Sequence, residues 1–222
     1  TTQVWENEES RFHSSSVTFA GELVRNNLNV SLNGEGAECI LNGLYLVSED
    51  RHADNTTLID HLQPRGTSRQ LYKGIARGKA SAVFSGKILV REDAQKTDAQ
   101  QINKNLLLSE QATVDTKPQL EIRADDVKCT HGAAVGYLDE DAIFYLKTRG
   151  LGDRESRRLL SYGFANEVIR AIGLNPVQAE LDQLLLKQLG ECHPEPPFDC
   201  HPERSEGSQG KLRGEGSRRF FG

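Results

Sequence analysis

Two hydrophobic rhythms divide the chain. Through residue 150, short runs rich in β-branched, aliphatic and aromatic residues recur: SVTFAGEL, ECILNGLYLV, TTLIDHL, RQLYKGIA, SAVFSGKILV, NKNLLL, PQLEIRA and AIFYLKT. Gly, Asn and Asp punctuate them, no good ten-residue helical pattern separates them, and Pro occurs only at 64 and 118. Strand centres spaced about 10–17 residues apart suit a sandwich or a solenoid. Asn packed beside aliphatics, as in NKNLLLSE, and the scarcity of tight hairpin dipeptides favour a parallel β-helix. The repeat is not strict enough to prove it.

After residue 150 the period changes. In DRESRRLLSYGFANEVIRAI, residues 153–172, Leu160, Phe164, Val168 and Ile172 recur every four positions, with Leu159 and Ile169 widening the stripe. Asp153 is the expected N-cap and Gly173 the expected stop. A second helix opens at Asn175-Pro176, with Leu181, Leu184, Leu185 and Leu189 as its stripe. Two helices joined by so short a link form an antiparallel hairpin with one shared apolar face. Composition shifts again near 190. Four of the seven Pro fall in 191–222, where Leu212 is the lone aliphatic residue, so this tail is expected to be disordered. CHPE occurs twice there, and CHPERSEGSQG resembles translated genomic repeat elements. The expected organisation is therefore a β-helix over 1–150, a helical domain over 151–190 and a tail over 191–222.

Charge and composition narrow the function classes. The 222 residues carry 27 Lys and Arg against 32 Asp and Glu, a net charge of −5, which argues against a nucleic-acid binder. No run of eighteen apolar residues is present to span a bilayer, and TTQVWENEES does not read as a signal peptide. Four scattered Cys make no disulfide framework, which points to the cytoplasm.

Several strings invite chemistry and do not sustain it. GIARGKAS at 74–81 puts three residues between its glycines and Ala80 after Lys79, where a phosphate loop needs four residues and a hydroxyl. No intrinsic nucleotide site is expected. Cys192, His193, Cys200 and His201 are zinc-ligand types at a spacing that matches no standard finger. His52, Asp54, Asp60 and His61 could form an acid–base or metal cluster, but read better as polar positions around one strand. Asp125, Asp126, Asp139, Glu140 and Asp141 could suggest glycoside chemistry, but adjacent acids flanking strands are ordinarily solvated turns.

KCTHGAAVG at 128–136 is the most informative string. In an extended strand Cys129 and His131 share a face. A thiolate and an imidazole side by side make a soft metal site or a Cys–His catalytic pair; the bland alternative is a buried Cys beside an incidental surface His. Gly132 would let another backbone approach or the strand turn.

That string sits in AQKTDAQQINKNLLLSEQATVDTKPQLEIRADDVKCTHGAAVGYLDEDAIFYLKTRGL, which resembles the SufB/SufD family of iron–sulfur cluster assembly scaffolds. The likeness extends upstream through ADNTTLIDHLQPRGTSRQLYKGIA and downstream through 153–172, covering most of 12–190. KCxHGAxVG favours the SufD branch, since SufB carries a Glu-containing sequence there. The resemblance implies a right-handed parallel β-helix, truncated here to roughly half the usual length, followed by a C-terminal helical domain. It implies a non-enzymatic scaffold that pairs with SufB through the β-helices and docks SufC, an ABC-type ATPase, on its terminal helices. A nascent iron–sulfur cluster would form transiently at the SufB interface, with His131 on the family's functional His and Cys129 beside it. Arg154, Arg157 and Arg158 are candidates for the exposed ATPase contact, with Leu181, Leu184 and Leu185 packing the helices together. The alternatives are a β-solenoid carbohydrate-active hydrolase or lyase using the 52–61 cluster, or a purely structural paralogue.

Overall fold

A computed structural model describes residues 1–190. The tail at 191–222, with its Cys192, His193, Cys200 and His201, lies outside the described residues. Ten strands come first: β1 (Thr2–Glu6), β2 (Arg11–Thr18), β3 (Leu23–Leu32), β4 (Glu38–Val47), β5 (His52–His61), β6 (Thr67–Ala76), β7 (Ser81–Val90), β8 (Asp98–Leu107), β9 (Thr113–Ile122) and β10 (Lys128–Gly136). Three helices follow: α1 (Glu140–Thr148), α2 (Asp153–Arg170) and α3 (Asn175–Gly190). Odd strands form one sheet in the order β1-β3-β5-β7-β9, and even strands form the other in the order β10-β8-β6-β4-β2. Every pairing is parallel, so the chain is a two-sheet solenoid of five coils, as the sequence led us to expect.

Why the repeat was hard to see is now plain. The offset between stacked partners rises from 26 residues (Thr2↔Leu28) to 29 (Glu38↔Thr67) and 32 (Ser81↔Thr113). Strand length is held at ten through most of the stack while the corners vary. One corner nonetheless carries the same backbone ladder along the stack. Glu9, Gly36, Arg65 and Lys96 all have positive φ, and each donates its N–H to a carbonyl of the next coil, those of Glu35, Pro64, Gln95 and Asp126. Three of the four are not glycine, so the corner ladder offsets the left-handed strain that a side chain ordinarily disfavours.

The inner faces of the two sheets meet in one apolar core that includes Leu41, Tyr45, Ile59, Phe84 and Ile88. The even sheet has a second apolar face. Leu44, Leu46, Ile75 and Leu106 point outward against Ala165, Val168, Ile169, Leu185 and Leu189 of α2 and α3. Burial on both faces explains why ECILNGLYLV reads as a continuous apolar run rather than an alternation. Deleting 151–190 would therefore uncover an apolar sheet face, and the β-region is not expected to stay soluble alone.

Three local expectations need correction. AIFYLKT is not a strand but most of α1. Asp139 caps it by accepting from the Asp141 N–H at 2.9 Å, with Glu140 and Asp141 in the first turn and Lys147 in the last. That charge order suits the helix dipole and outweighs the β-like composition. The α2 N-cap is Gly152, with Asp153 inside the helix. The buried stripe of α2 centres on Ser161, Ala165, Val168 and Ile169 rather than on Leu160 and Phe164, because small residues let the helix lie close to the sheet.

His61 sits inside the core in the column Leu32↔His61↔Val90, its Nε2 3.0 Å from Ser68 Oγ. Burial lowers its pKa to about 4, against a smaller opposing pull from Asp60. The folded pKa lies below the unfolded one, so the unfolded chain binds the extra proton between about pH 6.5 and pH 4 and stability falls as pH drops through that window. We predict that acidification from pH 7.5 to 4.5 costs the wild-type chain about 2–3 kcal/mol more than it costs His61→Leu. Urea unfolding of both proteins at the two pH values measures the difference; parallel losses would refute the assignment.

Candidate functional site

β10 is where stacking stops. It pairs with β8 on one side, placing Cys129 beside Ala99 and His131 beside Gln101, and it forms the edge of the even sheet. Cys129 is half-buried against the inner core, so its face is the inward one. Strand alternation puts His131 on that same face. With no further coil above it, His131 is exposed although its stacked neighbours Gln101 and Gln70 are buried. The inner surface of the solenoid thus opens to solvent at these two residues.

Burial is the main reason the Cys129 thiol is raised above its ordinary pKa; the Asp98 carboxylate adds to this and a hydrogen bond with the Ala99 backbone opposes it. The thiol is therefore held protonated, which is the reverse of an activated nucleophile. A metal ion that displaces the proton could still bind there. Gly132 does not turn the strand, which continues to Gly136. A Cβ at Gly132 would meet nothing within 4 Å, so the space beside it is open. Among the described residues no group of three or more His, Cys, Asp or Glu converges as a metal site. By residue type the pair offers two donors, and soft sulfur beside imidazole is a combination that suits iron bound to sulfide.

The rival clusters come apart. His52 and His61 lie at opposite ends of β5, roughly 30 Å apart along an extended strand. His52 Nδ1 is 2.7 Å from Ser81 Oγ, while Asp54 pairs with Arg25 and Asp60 with Arg91, each at 2.9 Å. GIARGKAS is the end of β6, a turn and the start of β7, without the helix that a phosphate loop requires. Asp126 pairs with Lys96 at 2.9 Å, and Asp139 is spent on its cap.

On the helices, the arginines are structural ties. Arg154 donates to the Gly190 carbonyl and Arg158 to the Leu186 carbonyl, each at 3.0 Å, joining α2 to the end of α3. Arg157 pairs with Asp153 at 2.8 Å and reaches Glu140 of α1 at 3.2 Å. Leu185 is fully buried and Leu181 packs beside it, but Leu184 is 43% exposed. One residue along a helix is a turn of about 100°, which takes Leu184 off the shared face. With Leu181 and Gln188 it instead overhangs a groove against Val17 and Phe19.

Two features escaped the sequence. Lys73 is a buried lysine on the outer face of β6 that donates to the Phe164 carbonyl at 2.9 Å, pairs with Glu167 and lies 4.5 Å from the Phe164 ring centroid. It fixes α2 on the sheet. The other is a polar file inside the core, Thr57, Gln70 and Gln101, that ends beside His131. A lysine or glutamine in a β-run carries no mark of burial; only the register shows it.

A family model described as "SUF system FeS cluster assembly, SufBD core domain" matches residues 1–164. The chain is 40% identical over 184 residues to "Iron-sulfur cluster assembly protein SufD" of Escherichia coli, covering 83% of this chain and 43% of that protein. It is likewise 40% identical over 183 residues to a SufBD family protein of Synechocystis, covering 82% and 40% respectively. Against "Protein ABCI7, chloroplastic" of Arabidopsis thaliana it is 40% identical over 171 residues, 76% of this chain and 36% of that one. The chain thus spans less than half the length of these relatives. Parallel coils, the open inner edge bearing Cys129 and His131, and a family match over most of the described residues agree: the chain belongs to the SufB/SufD family of iron–sulfur cluster assembly proteins, as a SufD-type member.

Proposed function

We propose that this chain is a non-catalytic scaffold that pairs with a SufB-type subunit and helps form a nascent iron–sulfur cluster, the cargo, at their shared interface. The observation that carries this is the open inner edge at β10. His131 is presented to solvent, Cys129 stands behind it half-buried, and among the described residues the outer edge of the strand has no neighbour. Such clusters ordinarily take four protein ligands, so two donors here call for the rest from the partner. The open space beside Gly132 leaves room for the partner's backbone. In the complete complex, His131→Ala is expected to assemble normally but to lose most cluster iron, sulfide and visible absorbance on reconstitution. Wild-type cluster content in an intact His131→Ala complex would leave only a structural role for the strand.

We further propose that α2 and α3 dock a SufC-type ATPase through their apolar flank rather than through the arginines, which already hold the helices together. Val177 and Leu184, seven residues and so about 20° apart around α3, are each about two-fifths exposed on one side of the helix. Unpaired apolar side chains at this density suit a protein contact. Leu184→Asp should weaken ATPase binding at least tenfold in a titration while leaving the melting temperature within a few degrees, since this position is outside the buried stripe. Unchanged affinity would move the docking surface elsewhere.

A further inference from the structure

One side chain next to the proposed cluster edge has a vacant hydrogen-bonding position. The register aligns Leu41, Gln70, Gln101 and His131 on successive even strands. Gln70 and Gln101 are 2% and 0% exposed, deep between the sheets. Gln101 Nε2 donates to Gln70 Oε1 at 2.7 Å, and Gln70 Nε2 donates to Thr57 Oγ1 at 2.7 Å. In this arrangement the Thr57 hydroxyl serves as the acceptor, and both amide nitrogens are engaged. Among the described residues it leaves Gln101 Oε1 as a buried acceptor with no donor. A buried carbonyl-type oxygen left in that state is costly and rare. Room for the amide is kept by Gly86 on the facing sheet, where any Cβ would collide with Gln101 Nε2.

The next rung of the same column is His131, on the same face and one strand spacing away, about 4.8 Å. Imidazole carries two nitrogens, and a metal-bound histidine ordinarily gives its second N–H to a nearby acceptor, which fixes both tautomer and ring orientation. We infer that Gln101 is the positioning residue for His131: its Oε1 accepts one imidazole N–H and aims the other ring nitrogen out of the open end. Gln70 and Thr57 hold the amide in that orientation from behind. This rests on the reading of His131 as a cluster ligand.

The test uses the complete complex with its partner subunits. A structure of the wild-type complex should place Gln101 Oε1 within about 3.2 Å of a His131 ring nitrogen. Gln101→Met keeps the volume and removes the acceptor. The assembled variant should lose cluster iron to a chelator about tenfold faster and show an altered imidazole-nitrogen coupling by pulsed EPR of the reduced cluster. A different donor on Gln101 Oε1 in the wild-type structure would overturn the inference, and that measurement holds even if Gln101→Met fails to assemble. So would wild-type iron retention and nitrogen coupling in an intact Gln101→Met complex. His131→Ala separates the two levels. If it loses the cluster while Gln101→Met does not, only the positioning role fails; if it keeps the cluster, the ligand reading and this inference fall together.

Discussion

In-register stacking of parallel coils is the constraint on which everything else here depends. Each residue between Thr2 and Gly136 that lies in a strand has its place set by the rung above and below it. Columns must therefore be mutually compatible along the stack. Where Tyr45 fills the core, the next rung is Gly74, on which a Cβ would run into the Tyr45 ring, and the one after is Asn105, which accepts from the tyrosine hydroxyl at 2.5 Å. Cys39, Ser68, Ala99 and Cys129 form a column of small side chains. Packing at crystal-like density leaves little freedom at any one rung once its neighbours are chosen.

The same constraint makes the end of the stack chemically distinctive. Inward positions are buried for as long as another coil covers them. At β10 the covering ends, and the inward column that held Leu41, Gln70 and Gln101 surfaces as His131. A polar core file and a surface histidine are then parts of one column. The even sheet also carries the helices on its outer face, fixed by Leu44, Leu46, Ile75 and Leu106 and by the Lys73 tie to Glu167 and Phe164. A buried charge of this kind defines the seat of a helix more surely than it adds stability. Helix docking and the open edge thus share a single sheet, one on each face.

Much of this was legible in the order of residues. SAVFSGKILV and ECILNGLYLV coincide with β7 and β4 as strands, because ten β-forming residues between corner signals admit little else. Asn175-Pro176 marks the start of α3, although Asn175 is the first residue of the helix rather than the cap before it. LVRNNLNVSL, by contrast, became the ten-residue strand β3 without announcing itself: its three asparagines disfavour a strand in isolation and are tolerated only within a stack. AIFYLKT went the other way, since the cap at Asp139 lies before the run whose composition suggested β.

The sequence by itself determined most of the elements and the local pairings of chemistry. Short β-rich runs against a four-residue apolar recurrence separated the coils from α2 and α3, and alternation alone put Cys129 and His131 on one face. Those are properties of a few adjacent residues, set by backbone geometry. Tertiary structure decided everything that depends on residues thirty positions apart: which glutamine lies beside His131, that His61 is buried while His52 is not, that Lys73 reaches α2, and that Leu184 turns away from its helix partner. Variable corners shift the coil offset between 26 and 32 residues, so no fixed period in the sequence encodes those neighbours. They follow from the register, and the register exists only once the coils have stacked.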